Sequence, residues 1–186
     1  VLTGYKETFM EEYSKHGFNH HLRLAQYVSG MSNELEALRK MGVLVLRDGV
    51  EWGSGIEPNF KKRYNFSGFE PWVTEFSKNK NTSQVFTFAF NNDLYSGIDG
   101  SKVGSSTKYT PTTKNEYDNY ADMVNVVLDK YPQIDYAQIW NEPLGSGFWK
   151  PGWDVPSYAN LLGVSGAYVR KEHPETQIVA GSTGKT

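Results

Sequence analysis

The chain has no cysteine. That removes disulfide bridges, thiol nucleophiles and thiolate metal sites in one step. It leaves the compartment open, because many secreted bacterial proteins do without disulfides. No stretch approaches the roughly 18 consecutive apolar residues of a membrane span. Charge of neither sign is in excess, with 19 Lys and Arg against 21 Asp and Glu and a formal net charge of −2. A nucleic-acid or anionic-membrane partner would want a basic patch, so neither is expected. Histidines number only four, and no His/Asp/Glu set has metal-ligand spacing. No metal and no other cofactor is therefore expected. No linker and no short-period repeat divides the 186 residues, which suffice for one domain with a real core.

Aromatic residues are abundant: they make up 15% of the chain, with five Trp and twelve Tyr. Strand patterns alternate with helix patterns along the sequence. Phe18 to Leu22 reads as a short strand. Residues 32–41 read as a helix with Ser32 as N-cap and Gly42 as the stop. Val43 to Leu46 is an apolar run of the kind buried on both faces. Phe69 to Asn79 fits a helix with Pro71 in its first turn. Gln84 to Phe90 is a third strand, Lys114 to Lys130 has helical apolar spacing, Val155 to Glu172 is a further helix, and Ile178-Val179-Ala180 begins a fifth strand. Such alternation predicts an α/β fold with a parallel sheet, here four or five βα units of a (β/α)₈ barrel. A complete barrel takes about 250 residues, and four or five strands cannot close. The expectation is a fragment of a longer polypeptide, with completion by a second chain or an open variant as alternatives.

The most informative stretch is Gln138-Ile139-Trp140-Asn141-Glu142-Pro143. It follows Ile134-Asp135-Tyr136-Ala137, whose composition suits a strand. Pro143 ends the ladder. A carboxyl and an amide side by side at a strand's C-terminal end stand where β/α barrels keep their active sites. A strand-end Glu can also cap a helix or pair with an arginine, and an Asn before Pro is a common turn.

Trp140-Asn141-Glu142-Pro143 resembles the Asn-Glu-Pro signature of the clan A retaining glycoside hydrolases. Gly17-Phe18-Asn19-His20-His21-Leu22 is similar to the clan's first strand. Leu44-Val45-Leu46-Arg47-Asp48, with Trp52 and Ile56-Glu57-Pro58, is similar to its second strand and following loop. Within the clan the combination looks most like family 39. The likeness runs from about Gly17 to Ser182, and implies that residues 1–186 are the N-terminal portion of a single glycosidase (β/α)₈ catalytic domain.

The resemblance implies a general acid/base role for Glu142, a contact from Asn141 to the sugar 2-hydroxyl, and an Arg47 that supports the ionised nucleophile. The acid must carry a proton near neutral pH, which burial near aromatics promotes. The nucleophile implied is a Glu at the end of a seventh strand, beyond this chain. Glu51, Glu57 and Glu70 do not match its motif. His20 and His21 end the first strand, and alternation sends them to opposite sides, so at most one lines the site; the resemblance implies a sugar contact for that one, with His21 preferred to His20. Trp52, Trp149 and Trp153 sit in loops on the cleft side, as sugar platforms or as loop packing. Asn91 and Asn92 follow the third strand, as substrate donors or as a polar turn.

Gly181-Ser182-Thr183-Gly184-Lys185-Thr186 fails as a phosphate loop, because position 179 is Val where the motif needs Gly. Asn65-Phe66-Ser67 and Asn81-Thr82-Ser83 match the glycosylation triplet, which arises often by chance. The chain opens with Val1, as expected if a leader has been removed. The expected substrate is a β-linked oligosaccharide or polysaccharide, and the expected location is secreted, periplasmic or cell-surface. The alternatives are a non-catalytic carbohydrate-binding or surface protein, and one half of a split barrel.

Overall fold

A computed structural model of the protein describes residues 17–19, 31–78, 82–96, 108–145, 147–152 and 154–182. Five strands form one sheet in the order β1-β2-β3-β4-β5, every pairing parallel. They are β1 (Gly17–Asn19), β2 (Val45–Glu51), β3 (Ser83–Ala89), β4 (Tyr136–Ile139) and β5 (Gln177–Ala180). Among the described residues the helices are α1 (Met31–Lys40), α2 (Glu70–Ser77), α3 (Asp93–Ser96), α4 (Lys114–Lys130) and α5 (Val155–Glu172). Parallel neighbours need crossover connections, and a helix is the usual one.

The helix ends follow their capping chemistry. Thr113 and Glu116 close a reciprocal capping box at the start of α4, which satisfies two orphan N–H donors. Asp154 accepts from Ser157 N at the start of α5. Gly42 takes φ +77° just past α1, the left-handed stop that glycine makes cheaply. Ser32 falls inside α1 rather than at its cap, since the helix begins at Met31.

The largest departure from the sequence expectation is β2. An apolar run ending at Leu46 suggests a strand that stops there, with Arg47 at its tip. The strand instead continues to Glu51. One face of the strand carries Arg47, Gly49 and Glu51, all of which line a cavity. Arg47 is thus a mid-strand residue. After Glu51 the chain makes one π-helical turn, Trp52–Ile56.

The opposite face of the sheet holds the core. Phe86, Phe88, Ala137 and Ile139 from the strands join Tyr120, Val124, Val127 and Leu128 of α4 and Leu161 and Val169 of α5 in one buried cluster. Each Val, Leu, Ile or Phe side chain among them contributes about 1.5–3 kcal/mol by leaving water. Tyr120 also carries a polar tip into this cluster. Its hydroxyl donates to Phe88 O at 2.6 Å and accepts from Trp140 N at 3.2 Å, tying α4 to the ends of β3 and β4.

Register puts Gly49 opposite Thr87, which in turn faces Gln138. A Cβ on Gly49 would lie 2.2 Å from Thr87 O and 2.8 Å from Thr87 Cβ. Gly49→Ala therefore lowers unfolding free energy by about 1–3 kcal/mol. Gly163→Ala, exposed within α5 with nothing within 4 Å of the new methyl, raises it by about 0.4–1 kcal/mol. Urea unfolding of the two variants checks both signs.

Burial pushes the Tyr120 phenol well above its ordinary value, against a smaller opposing effect of the Trp140 N–H. The unfolded chain releases this proton near pH 10 and the folded chain keeps it. The unfolded state then binds fewer protons, so stability falls as pH rises above about 10, by up to about 1.4 kcal/mol per pH unit for one tyrosine. Tyr120→Phe removes that share. Unfolding free energies measured from pH 9 to 11 are expected to fall less steeply in the variant, and equal slopes would contradict the assignment.

Candidate active site

β4 ends at Ile139, and the backbone then turns sharply. Trp140 has φ +67° and Glu142 φ +51°, left-handed values that cost a residue with a side chain about 1–3 kcal/mol each. Several contacts hold the turn. Trp140 N donates to Phe88 O at 3.0 Å, and Trp140 O accepts from Gln138 Nε2 at 3.0 Å. The Trp140 indole N–H donates to Phe148 O at 2.8 Å, and its ring meets Phe90 and Trp149 edge-on with centroids 5.4 and 4.8 Å away. Tyr158 OH donates to Ile139 O at 3.0 Å. Gly145 N closes the turn on Glu142 O at 2.9 Å.

This turn has a geometric consequence. Strict strand alternation would send Asn141 and Glu142 to opposite faces. The left-handed residues break the alternation, and both side chains line one cavity of about 420 Å³, within the size range of small-molecule sites. Arg47, Thr87, Lys108 and Phe148 line it as well.

Arg47 reaches across β3 to β4. Its Nε donates to Gln138 Oε1 at 2.7 Å and its Nη2 to Asn141 Oδ1 at 2.8 Å. With Oδ1 committed to Arg47, Asn141 keeps its Nδ2 donors for a partner in the cavity. Burial lowers the Arg47 pKa, while the charges of Asp48 and Glu142 act the other way, and a guanidinium keeps its charge in either case. Asp48 is 5% exposed and accepts from Gly49 N at 2.7 Å. The Glu142 carboxylate is half-buried and accepts no hydrogen bond from any described residue, so it is available to a ligand.

The structure thus brings together Arg47, Asn141 and Glu142. It separates three other candidates from them. Trp52 is fully buried: its Nε1 donates to Glu57 Oε2 at 2.6 Å, and its ring stacks on Tyr95 with centroids 5.0 Å apart. Trp149 is fully buried between Trp140 and Tyr158. Neither indole presents a face to a sugar, so both are corrected from platforms to core. Asn91 is also fully buried, and its Nδ2 donates to Tyr109 O at 3.1 Å and Glu116 Oε1 at 3.3 Å. It ties the loop after β3 to the start of α4 and does not line the cavity. His20, His21 and Trp153 lie outside the described residues.

Two residues at the site have no local sequence signal. Gln138 bridges Arg47 and the Trp140 carbonyl. Lys108 enters the cavity wall from a different loop. Only alternation within β4, which puts Gln138 on the face of Tyr136, could have pointed to the first.

No family model and no curated protein sequence matches the chain. Solved structures do match. A family 39 glycoside hydrolase from the gut symbiont Bacteroides cellulosilyticus WH2 superposes with a TM-score of 0.61 at 20% identity, over 81% of this chain and 28% of that one. A monomeric β-xylosidase from Caulobacter crescentus CB15 gives 0.61 at 14% identity, over 90% and 35%. A family 1 β-glucosidase from Thermotoga maritima gives 0.57 at 17% identity, over 82% and 36%. The chain spans about a third of the length of these structures or less. Among the described residues no helix is long and apolar enough to cross a membrane. What these likenesses share is architecture: the chain has the fold of an open, five-stranded portion of the (β/α)₈ barrel found in clan A glycosidases.

Proposed function

We propose that this chain carries the acid/base half of the active site of a retaining glycoside hydrolase acting on a β-linked oligosaccharide or polysaccharide. The observation that supports this best is the left-handed turn after β4. It sets an unpartnered carboxyl, Glu142, beside an amide whose donors are free, Asn141, over a cation, Arg47.

In the proposed reaction Glu142 gives its proton to the glycosidic oxygen as that bond breaks. It then takes a proton from the water that releases the sugar. A second carboxyl, about 5–5.5 Å from the first, attacks the anomeric carbon. We assign that nucleophile to a Glu beyond these 186 residues, which would then be one portion of a single catalytic domain, completed by further polypeptide or by a second chain. The Arg47 charge would favour the nucleophile's ionised form. Asn141 Nδ2 would donate to the sugar 2-hydroxyl, a contact that tightens in the transition state.

Neighbours described as a β-xylosidase and as β-glucosidases support a β-linked glycoside as substrate. A secreted, periplasmic or cell-surface location is part of the proposal, and a neighbour described as a conserved exported protein from Bacteroides fragilis supports it.

The test is Glu142→Gln in the complete polypeptide. Hydrolysis of alkyl or sugar leaving groups falls about 10²–10⁴-fold, the usual worth of a general acid. The first step with a dinitrophenyl glycoside, whose leaving group needs no proton, is largely spared. Steady-state and burst kinetics on the two substrate types separate these. Equal losses on both would refute the acid role, and sugar binding without any hydrolysis by the unmutated protein would favour a carbohydrate-binding protein.

A further inference from the structure

The cavity wall opposite β2 holds a cation that the proposed reaction does not use. Lys108 Nζ sits 4.4 Å from the Phe148 ring centroid and 5.5 Å from that of Phe90, and the two rings are stacked 5.7 Å apart at 18°. The backbone under it is fixed. Lys150 N donates to Lys108 O at 3.0 Å, Thr110 N donates to Lys150 O at 3.0 Å, and a β-bridge joins Tyr109 to Lys150. The loop after β3 is thereby stapled to the loop after β4, and Lys108 is held at their junction.

Lys108 has no carboxylate, carbonyl or hydroxyl partner for its ammonium among the described residues. Arg47, the other cation lining the cavity, is committed to Gln138 and Asn141. Ring faces attract a cation but are weak acceptors, so the lysine's N–H donors remain for a ligand. Asp48, Glu51 and Glu142 line the same cavity, and none of them is ion-paired to Lys108. Asp48 accepts from Gly49 N, and Glu51 belongs to the end of β2 and accepts from Ser54 Oγ. Among the described residues that line the cavity, the charged side chains are Arg47, Lys108, Asp48, Glu51 and Glu142.

We infer that Lys108 is a specificity-determining residue that selects a sugar bearing an anionic group, a uronate carboxylate or a sulfate ester, held against the Phe90–Phe148 wall. This rests on the glycoside-binding reading above and names the substrate class for it. A charge-assisted hydrogen bond of this kind separates charged from neutral ligands by about tenfold or more.

NMR titration of the protein with cellotriose, its C6-carboxylate form and its C6-sulfate form tests this. An anionic form is expected to bind about tenfold more tightly than the neutral one, with a margin that shrinks as salt is raised. Whichever anionic form binds better identifies the group. Lys108→Met, which keeps an apolar stem on the Phe148 ring, is expected to bring the ratio of anionic to neutral affinity to about one. Equal affinity for all three sugars, or a margin that survives in Lys108→Met, overturns the inference and leaves the Glu142 reading intact. Failure of all three sugars to bind likewise overturns the inference, while the acid role of Glu142 stands or falls on the Glu142→Gln kinetics.

Discussion

One half-buried cation organises the site. The Arg47 guanidinium spans from β2 to β4 and bonds Gln138 and Asn141, residues 91 and 94 positions away in the chain. A charge withdrawn from water must have its donors satisfied, and the flat fork of a guanidinium satisfies them only in fixed directions. Gln138 is held by its other end to the Trp140 carbonyl. The strand side chain, the amide and the backbone turn therefore share one orientation. Gly49 keeps β2 and β3 close enough for that reach, since Thr87 O lies where its Cβ would be.

The turn after β4 is the second half of the same device. Two side-chain-bearing residues in left-handed conformation are unfavourable by themselves. The surrounding fold offsets that cost with Tyr120 from α4, Tyr158 from α5 and an aromatic cluster around Trp140. Both long helices thus bear on the geometry of Asn141 and Glu142. The tryptophans that look like sugar platforms in the sequence stabilise this architecture from within, and the polar residues do the facing of the cavity.

What could be read beforehand divides along the same line. The spans of α4 and α5 were legible, α4 through its apolar spacing, while their capping side chains emerged only in the structure. Trp140-Asn141-Glu142-Pro143 pointed to two residues that line the cavity, Asn141 and Glu142, although β4 stops at Ile139, short of the Glu142 that the sequence suggested as its end. The extent of β2 was not, because Arg47, Asp48 and Glu51 break the apolar run, and only the pairing of β2 with β3 as far as Glu51 shows that the strand continues. For Trp52 and Trp149 the sequence left sugar platform and loop packing open, and the complete burial of both indoles decides for packing. Gln138 and Lys108 belong to no local pattern, and tertiary packing alone brings them to Glu142.

In the proposed reaction this framework aims Glu142 as a proton donor and acceptor. Azide rescue of Glu142→Ala in the complete polypeptide tests it most directly. The truncated side chain leaves room beside the anomeric carbon, and a small anion can replace the water that Glu142 would have activated. The account predicts that azide restores turnover of an activated aryl glycoside and yields a glycosyl azide of retained configuration. A variant that remains as slow with azide as without it, or that yields only the free sugar, would contradict the assignment of Glu142.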